Sequence, residues 1–270
     1  MNENGCNGIY LYNSYDVSIS NCTINGNGWF GGVISAGIYC EGSSHVNITE
    51  CLISDNIWSG VCCLSSNLII LSECTTKDRV VFGFSFDVGI ENSTLRNKIV
   101  IWDSFNVSIK NNVFLRSGID ILGSKLSHYT SHNIENNTVN GKPLYYIVNL
   151  TGPHAVPPDA GQIIIANSTH ITITNGNLSY TAIGLEIAYS RNIRVKNTQV
   201  YGNDDGIYCI HSSNIAIINC GIYDNQHYKG VRCVYSSNIT ITNCEIHDLS
   251  LIHISEPTRP RLISYAVFCL

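Results

Sequence analysis

Two stretches near the end of the chain say the same thing twice. GIYCIHSSNIAIINCGIYDN starts at Gly206, and GVRCVYSSNITITNCEIHD starts at Gly230. Sliding the first onto the second by 24 positions puts Gly206 on Gly230, Cys209 on Cys233, Asn214 on Asn238, Asn219 on Asn243, Cys220 on Cys244 and Asp224 on Asp248. A repeat this short cannot bury a core by itself, so it has to stack on its neighbours. In the second copy Val231 and Cys233 alternate with Arg232 and share one side of a strand. Ser236, Ser237 and Asn238 form a turn cluster; Ile239 and Ile241 then alternate with Thr240 and Thr242. Asn243 marks a second corner, and Cys244 with Ile246 gives a third short apolar pair. Each repeat is therefore three short strands and three corners. The expected fold is all-β: a coil of about ten three-sided rungs, each paired in parallel with the next at roughly 4.8 Å.

Earlier rungs start at Gly8, Gly37, Gly60 and Gly118, and later ones at Gln162, Gly184, Gly206 and Gly230. Rung four, over 83–97, is short, and rung five carries Ile99, Ile101, Val107, Ile109 and Val113. The stretch 141–160 holds Pro143, Pro153, Pro157 and Pro158 and is expected to protrude as a loop. Ten rungs in one stack would make a rod about 45–50 Å long. No apolar run approaches the length of a membrane span.

The G-[IV]-x-C starts, S-S-N-[ILV]-x-I middles and N-C-x-I-x-[DN] ends resemble those of the single-stranded right-handed parallel β-helix (solenoid) proteins. Within them, the phrase NTVNGKPLYY from Asn137 to Tyr146 resembles the NosD-like, or periplasmic copper-binding, β-helix group. The resemblance covers residues 1–248. It implies an exported protein, extracellular, at the cell surface or periplasmic. A surface or carbohydrate-binding module, with a polysaccharide or cell-surface glycan as partner, is the expected role. A polysaccharide lyase or glycoside hydrolase is the alternative, and NosD-like maturation of a metal enzyme is the second alternative.

Residues 249–270 break the pattern. LSLIHISEPTR and ISYAVFCL resemble the translation of a transposase-type sequencing adapter, so this tail is expected to be non-native and the β-helix, 1–248, to be a fragment open at both ends.

The formal net charge is −5, and the tail contributes two arginines and one glutamate, so the remainder is one charge more acidic. That argues against a phosphate-binding, nucleic-acid-recognising surface. Of the 12 cysteines one lies in the tail. Cys40 and Cys63, Cys51 and Cys74, Cys209 and Cys233, and Cys220 and Cys244 recur at one position of successive rungs, which reads as columns of small buried thiols rather than disulfides. Nine Asn-x-Ser/Thr sequons, at Asn21, Asn47, Asn92, Asn106, Asn136, Asn149, Asn167, Asn177 and Asn238, come largely from the repeat itself.

The first strand of each rung should present an outward column: Tyr10, Tyr39, Cys62, Ser85, Val100, Asp120, Ile164, Glu186, Tyr208 and Arg232. In sugar-cleaving β-helices the equivalent face forms the groove, so the resemblance implies sugar stacking on Tyr39 and Tyr208. Tyr145 and Tyr146, with His154, would join them from the 141–160 loop. Asp120 and Glu186, two rungs and roughly 9–10 Å apart, form the acid/base pair of the enzymatic alternative. Solvated strand residues are the plainer reading of both. Asp204-Asp205 resembles the aspartate pair of polygalacturonase-like enzymes, but that family's Asn-Thr-Asp, Gly-His-Gly and Arg-Ile-Lys signatures are absent. Asp55 with Asp78, and Asp224 with Asp248, would stack at corners; stacked carboxylates suit Ca²⁺, hydrated corner residues are the plainer reading, and no cofactor is expected. His128 and His132 have helical ligand spacing in β-loop text, and no metal site is assigned to them.

Overall fold

The computed structural model describes residues 6–28, 35–225 and 229–247. The repeat folds as its alternation dictates. Strands Val231–Val234, Ser237–Thr242 and Glu245–His247 pair in parallel with Asp205–Ile210, Ser213–Ile218 and Gly221–Tyr223 of the preceding copy. Inward Ile, Val and Cys side chains fill the coil. The Ser-Ser-Asn corners have a specific logic. Ser168, Ser190, Ser212 and Ser236 turn inward as a column in which the Oγ of Ser190, Ser212 and Ser236 each accepts the backbone N–H of the serine one rung earlier at 3.0–3.1 Å, and Ser168 Oγ accepts from Leu150 N at 3.1 Å. Each hydroxyl also donates to the carbonyl two residues before it. Asn192, Asn214 and Asn238 adopt left-handed φ of 57°, 56° and 53° and link Nδ2 to Oδ1 up the outside. The result is an all-β right-handed parallel β-helix of about ten rungs.

The rungs do not form one rod. Six first strands, from Ile9–Tyr12 to Ile119–Leu122, make one sheet of a first coil. The chain then reverses at Asn140 and Gly141, with φ of 53° and 78°. Two successive positive φ values at Asn-Gly are the signature of a tight hairpin turn. Strand Lys142–Val148 accordingly pairs antiparallel with Thr138–Val139, and a second coil grows from its other edge through Gln162–Ala166, Ile183–Ala188, Asp205–Ile210 and Val231–Val234. The stretch 141–160 is thus not a protruding loop. It holds strands Lys142–Val148 and His154–Val156; Pro153, Pro157 and Pro158 bracket the second strand, and Pro143 lies in the hairpin pairing.

The second coil covers the end of the first. Tyr208, Ile164, Ala166, Ala188 and Ile210, on the outer face of its first sheet, pack into the first coil's apolar core. The last strand of the first coil, Ile119–Leu122, would otherwise expose an unpaired edge. Gln162 accepts the Ile119 N–H at 2.9 Å and donates to its carbonyl at 2.6 Å, while Glu186 accepts the Ile121 N–H at 3.4 Å. Gly118 is required at this junction because a Cβ there would collide with Thr181 Oγ1 and Gln162 Oε1.

Three further expectations need correction. Rung four starts at Val80, and its outward residue is Val81; Ser85 belongs to the inner corner column of Ser43, Ser66, Ser85 and Ser104. At the other corner the residue stacked on Asp78 is Asn56, not Asp55: Asn56 N and Nδ2 donate to Asp78 Oδ2 at 2.9 and 2.8 Å. His128 lies in a one-turn helix, Ser127–Thr130, not in β-loop text. The tail 249–270 and Asp248 lie outside the described residues.

Candidate functional site at the junction of the coils

Register separates the outward residues into two columns. Tyr10, Tyr39, Cys62, Val81, Val100 and Asp120 line the first coil. Tyr146, Ile164, Glu186, Tyr208 and Arg232 line the second. Asp120 and Glu186 are therefore not two rungs apart on one face. They belong to different coils and meet where the coils join. Asp204 and Asp205, at the start of a second-coil strand, come to the same place.

Lys98 organises the charges. Its Nζ lies 3.1 Å from Asp120 Oδ2 and 3.1 Å from Asp204 Oδ2. Burial works to lower the ammonium pKa, and the two carboxylates outweigh it, so the group sits above its ordinary value. Arg232 lies with Cζ 3.9 Å above the Tyr208 ring and Nη1 3.6 Å from Asp205 Oδ2. Burial raises the Asp205 pKa, against the pull of Arg232. Glu186 is 0 % exposed. Burial, reinforced by the negative charges of Asp120 and Asp205, holds its carboxyl well above the usual carboxylate range. Glu186 Oε1 and Asp120 Oδ1 are both buried without a hydrogen-bond partner.

Two clefts open on this junction. One, of 370 Å³, is lined by Asn56, Trp58, Asp78, Arg79, Lys98 and Asp204 among others. There the Arg79 guanidinium lies 4.1 Å from the Trp58 ring centroid, and its Nε donates to the Trp58 carbonyl at 2.5 Å. The other, of 250 Å³, is lined by Trp102, Asp103, Leu122, Gly123, Ser124, Tyr129 and Tyr208.

A family profile for the right-handed β-helix region matches residues 1–157 and 97–259. The chain belongs to the right-handed β-helix family. No curated protein matches the chain. Among solved structures, the β-helix is similar to PfbA, a surface adhesin of Streptococcus pneumoniae, at 14% identity over 87% of this chain and 70% of that one, with a TM-score of 0.40. A glycoside hydrolase matches at 13% identity over 81% of this chain and 39% of its own, TM-score 0.32. The A-module of the mannuronan C-5 epimerase AlgE6 of Azotobacter vinelandii matches at 10% identity over 86% and 74%, TM-score 0.28. These likenesses do not reach beyond the coil to any activity.

The tyrosines expected to hold sugar are dispersed over the β-helix. Tyr39 is buried beneath the Tyr10 ring, stacked at 5.5 Å, and Tyr208 is buried beneath Arg232. Tyr145 packs against the second core and donates to Asp159 Oδ1 at 3.1 Å; Tyr146 faces the junction and donates to the Tyr129 carbonyl at 2.6 Å. His154 is exposed. The residues that sequence reasoning passed over are Trp58, Arg79, Lys98, Trp102 and Asp103. Only Trp102 had a signal: it ends an outward-facing strand opposite a glycine, Gly83.

The NosD-like resemblance implies a metal, and the residues present do not fit one. Among the described residues no three His, Cys, Asp or Glu side chains converge as ligands. His132 is locked as a neutral ring, with Nδ1 accepting from Val107 N at 3.3 Å and Nε2 lying 2.7 Å from the His128 carbonyl. The cysteines outside the tail are free thiols, with Cys40 stacked on Cys63 and Cys209 on Cys233. Burial pushes the Cys62 thiol up to about 12. All nine sequon asparagines are exposed. Among the described residues no helix is long and apolar enough to cross a membrane.

Proposed function

We propose that the protein is an exported β-helix surface module that binds a polysaccharide or cell-surface glycan without turning it over. The observation that carries this reading is the state of the junction carboxyls. An acid/base pair must reach the bond it cleaves. Glu186 has no exposed surface and spends one oxygen on the Ile121 N–H that closes the first coil. Asp120 is 8 % exposed and paired with Lys98. Both carboxyls act as structural groups of the joint, while the clefts beside them stay open to a ligand.

The test is a panel of polysaccharides run through affinity electrophoresis and, in parallel, through assays for new reducing ends and for unsaturated products. Retention without product supports the proposal. Product formation that disappears in Asp120→Asn and Glu186→Gln variants would replace it with the lyase or hydrolase alternative.

A further inference from the structure

We infer that the cleft beside Trp102 is a subsite for a neutral pyranose residue. The inference rests on the glycan-binding reading and gives it a location and a sugar class. Leu64, Gly83, Trp102 and Leu122 occupy the same outward position on four successive rungs. Gly83 leaves a gap in that row. A Cβ there would come 2.7 Å from Leu64 Cδ2 and 3.5 Å from Trp102 Cε3, so the neighbouring side chains lean over the glycine. The Trp102 ring thus borders the space the glycine leaves. Phe84 buttresses it, with ring centroids 4.6 Å apart at 54°. The indole remains 44 % exposed. A large aromatic held this way adds little to the core and offers a flat apolar face to solvent.

The polar groups stand at the edge of that face. Asp103 follows Trp102, its backbone at φ 43°. Its Oδ1 accepts from Ser124 N at 2.7 Å and lies 2.6 Å from His128 Nδ1. Burial works to raise its pKa, and the Ser124 amide with His128 outweighs that, leaving the carboxyl below its ordinary range and ionised. The Ser124 side chain bonds the same carboxylate, and Ser124 is exposed, so the pair stands at the rim of the cleft. A pyranose has one apolar C–H face and a rim of hydroxyl donors. An aromatic face with a fixed carboxylate acceptor at its edge complements both. Among the described residues no lysine or arginine lines this cleft, whereas Arg79 and Lys98 line the other. With a carboxylate at its edge and no such cation to pair with an anionic group, the cleft suits neutral sugars better than uronates or sulfated residues.

The experiment uses the whole chain and compares neutral glucans, mannans and galactans with alginate and polygalacturonate by affinity electrophoresis. The proteins are the unmodified chain, Trp102→Ala, Trp102→Phe, Asp103→Asn and Arg79→Ala, each checked for an unchanged unfolding midpoint. A neutral polymer should be retained. Trp102→Ala should weaken it at least about tenfold, the loss typical of an aromatic anchor. Trp102→Phe should restore part of that, and Asp103→Asn should lose affinity for neutral sugar while gaining tolerance of anionic polymer. Full affinity in Trp102→Ala together with loss in Arg79→Ala overturns the subsite and leaves glycan binding standing at the other cleft. A preference for the anionic polymers overturns it likewise. Retention of no polymer by the unmodified chain overturns both readings.

Discussion

The corners of the coils and the junction between them bury polar atoms in opposite ways. Along the corner columns of the second coil, each rung supplies what its neighbour lacks. Ser190 N–H finds Ser212 Oγ, Ser212 N–H finds Ser236 Oγ, and Asn203 finds Asn225 in the same manner. At the junction Asp120 Oδ1, Glu186 Oε1, Thr181 Oγ1 and Arg232 Nε are buried without partners. Repetition solves a hydrogen-bonding problem once and copies the answer. A junction occurs once, so its compromises persist, and unmatched polar groups are where a protein has room for a ligand or a change of protonation.

The largest effect tests the repeated part alone. Phe82 is fully buried in the first coil. Phe82→Ala should cost about 3–5 kcal/mol, a core loss that owes nothing to the junction. Its unfolding-midpoint deficit should be the same at every pH where the chain folds. A deficit that varies with pH would mean that core and junction do not act independently.

Next come two substitutions of similar size and different cause. Ser212→Ala leaves the Ser190 N–H buried and unmatched, at about 1–3 kcal/mol. Gly118→Ala pushes a methyl group into Thr181 and the Gln162 amide that closes the Ile119 edge, at about 1–3 kcal/mol. Hydrogen exchange separates them. The serine variant should loosen amides along its own corner, and the glycine variant those of Ile119 and Ile121. Equal loosening everywhere would remove the distinction between corner and joint.

That distinction also explains what could be read beforehand. The strands, corners and thiol columns were legible because each recurs, and Asn214 can be checked against Asn238. The spacing between equivalent residues shrinks from 23 at Ser43 and Ser66 to 19 at Ser66 and Ser85, and this displaced the outward residue of rung four from Val81 to Ser85. The reversal was written in Asn140-Gly141, yet four prolines in the next residues read as a loop. Asp120 and Glu186 were visible as outward carboxyls. That they meet across two coils, with Lys98 beside one and solvent excluded from the other, depends on the reversal and on residues that appear once. Trp102 is marked only by its outward place at the end of Ile99–Trp102, and Asp103 has no copy to give it away.

The smallest effects are shifts in pH dependence, and they set the first coil against the joint. His132 is buried, and burial pushes its pKa from 6.5 down to about 4. The unfolded chain takes up that proton first, so stability should be lost as pH falls below 6.5 toward 4. His132→Gln should lack that loss. Glu186 behaves oppositely. The folded chain keeps its proton where the unfolded chain has released it, so stability is greatest in acid and falls as pH rises through the folded pKa. The groups facing it are Asp120 and Asp205, which oppose ionisation, Arg232 and the Ile121 N–H, which favour it, and the phenols of Tyr129, Tyr146 and Tyr208, whose own pKa values its charge would raise. Glu186→Gln keeps an acceptor for Ile121 and removes the ionisation. Its unfolding midpoint should match that of the unmodified chain in acid and exceed it increasingly toward alkaline pH. Asp205, also raised by burial, leaves a residual slope in both proteins. Parallel pH profiles would mean that water reaches Glu186, and the carboxyl would then have to be reconsidered as a group able to meet a substrate.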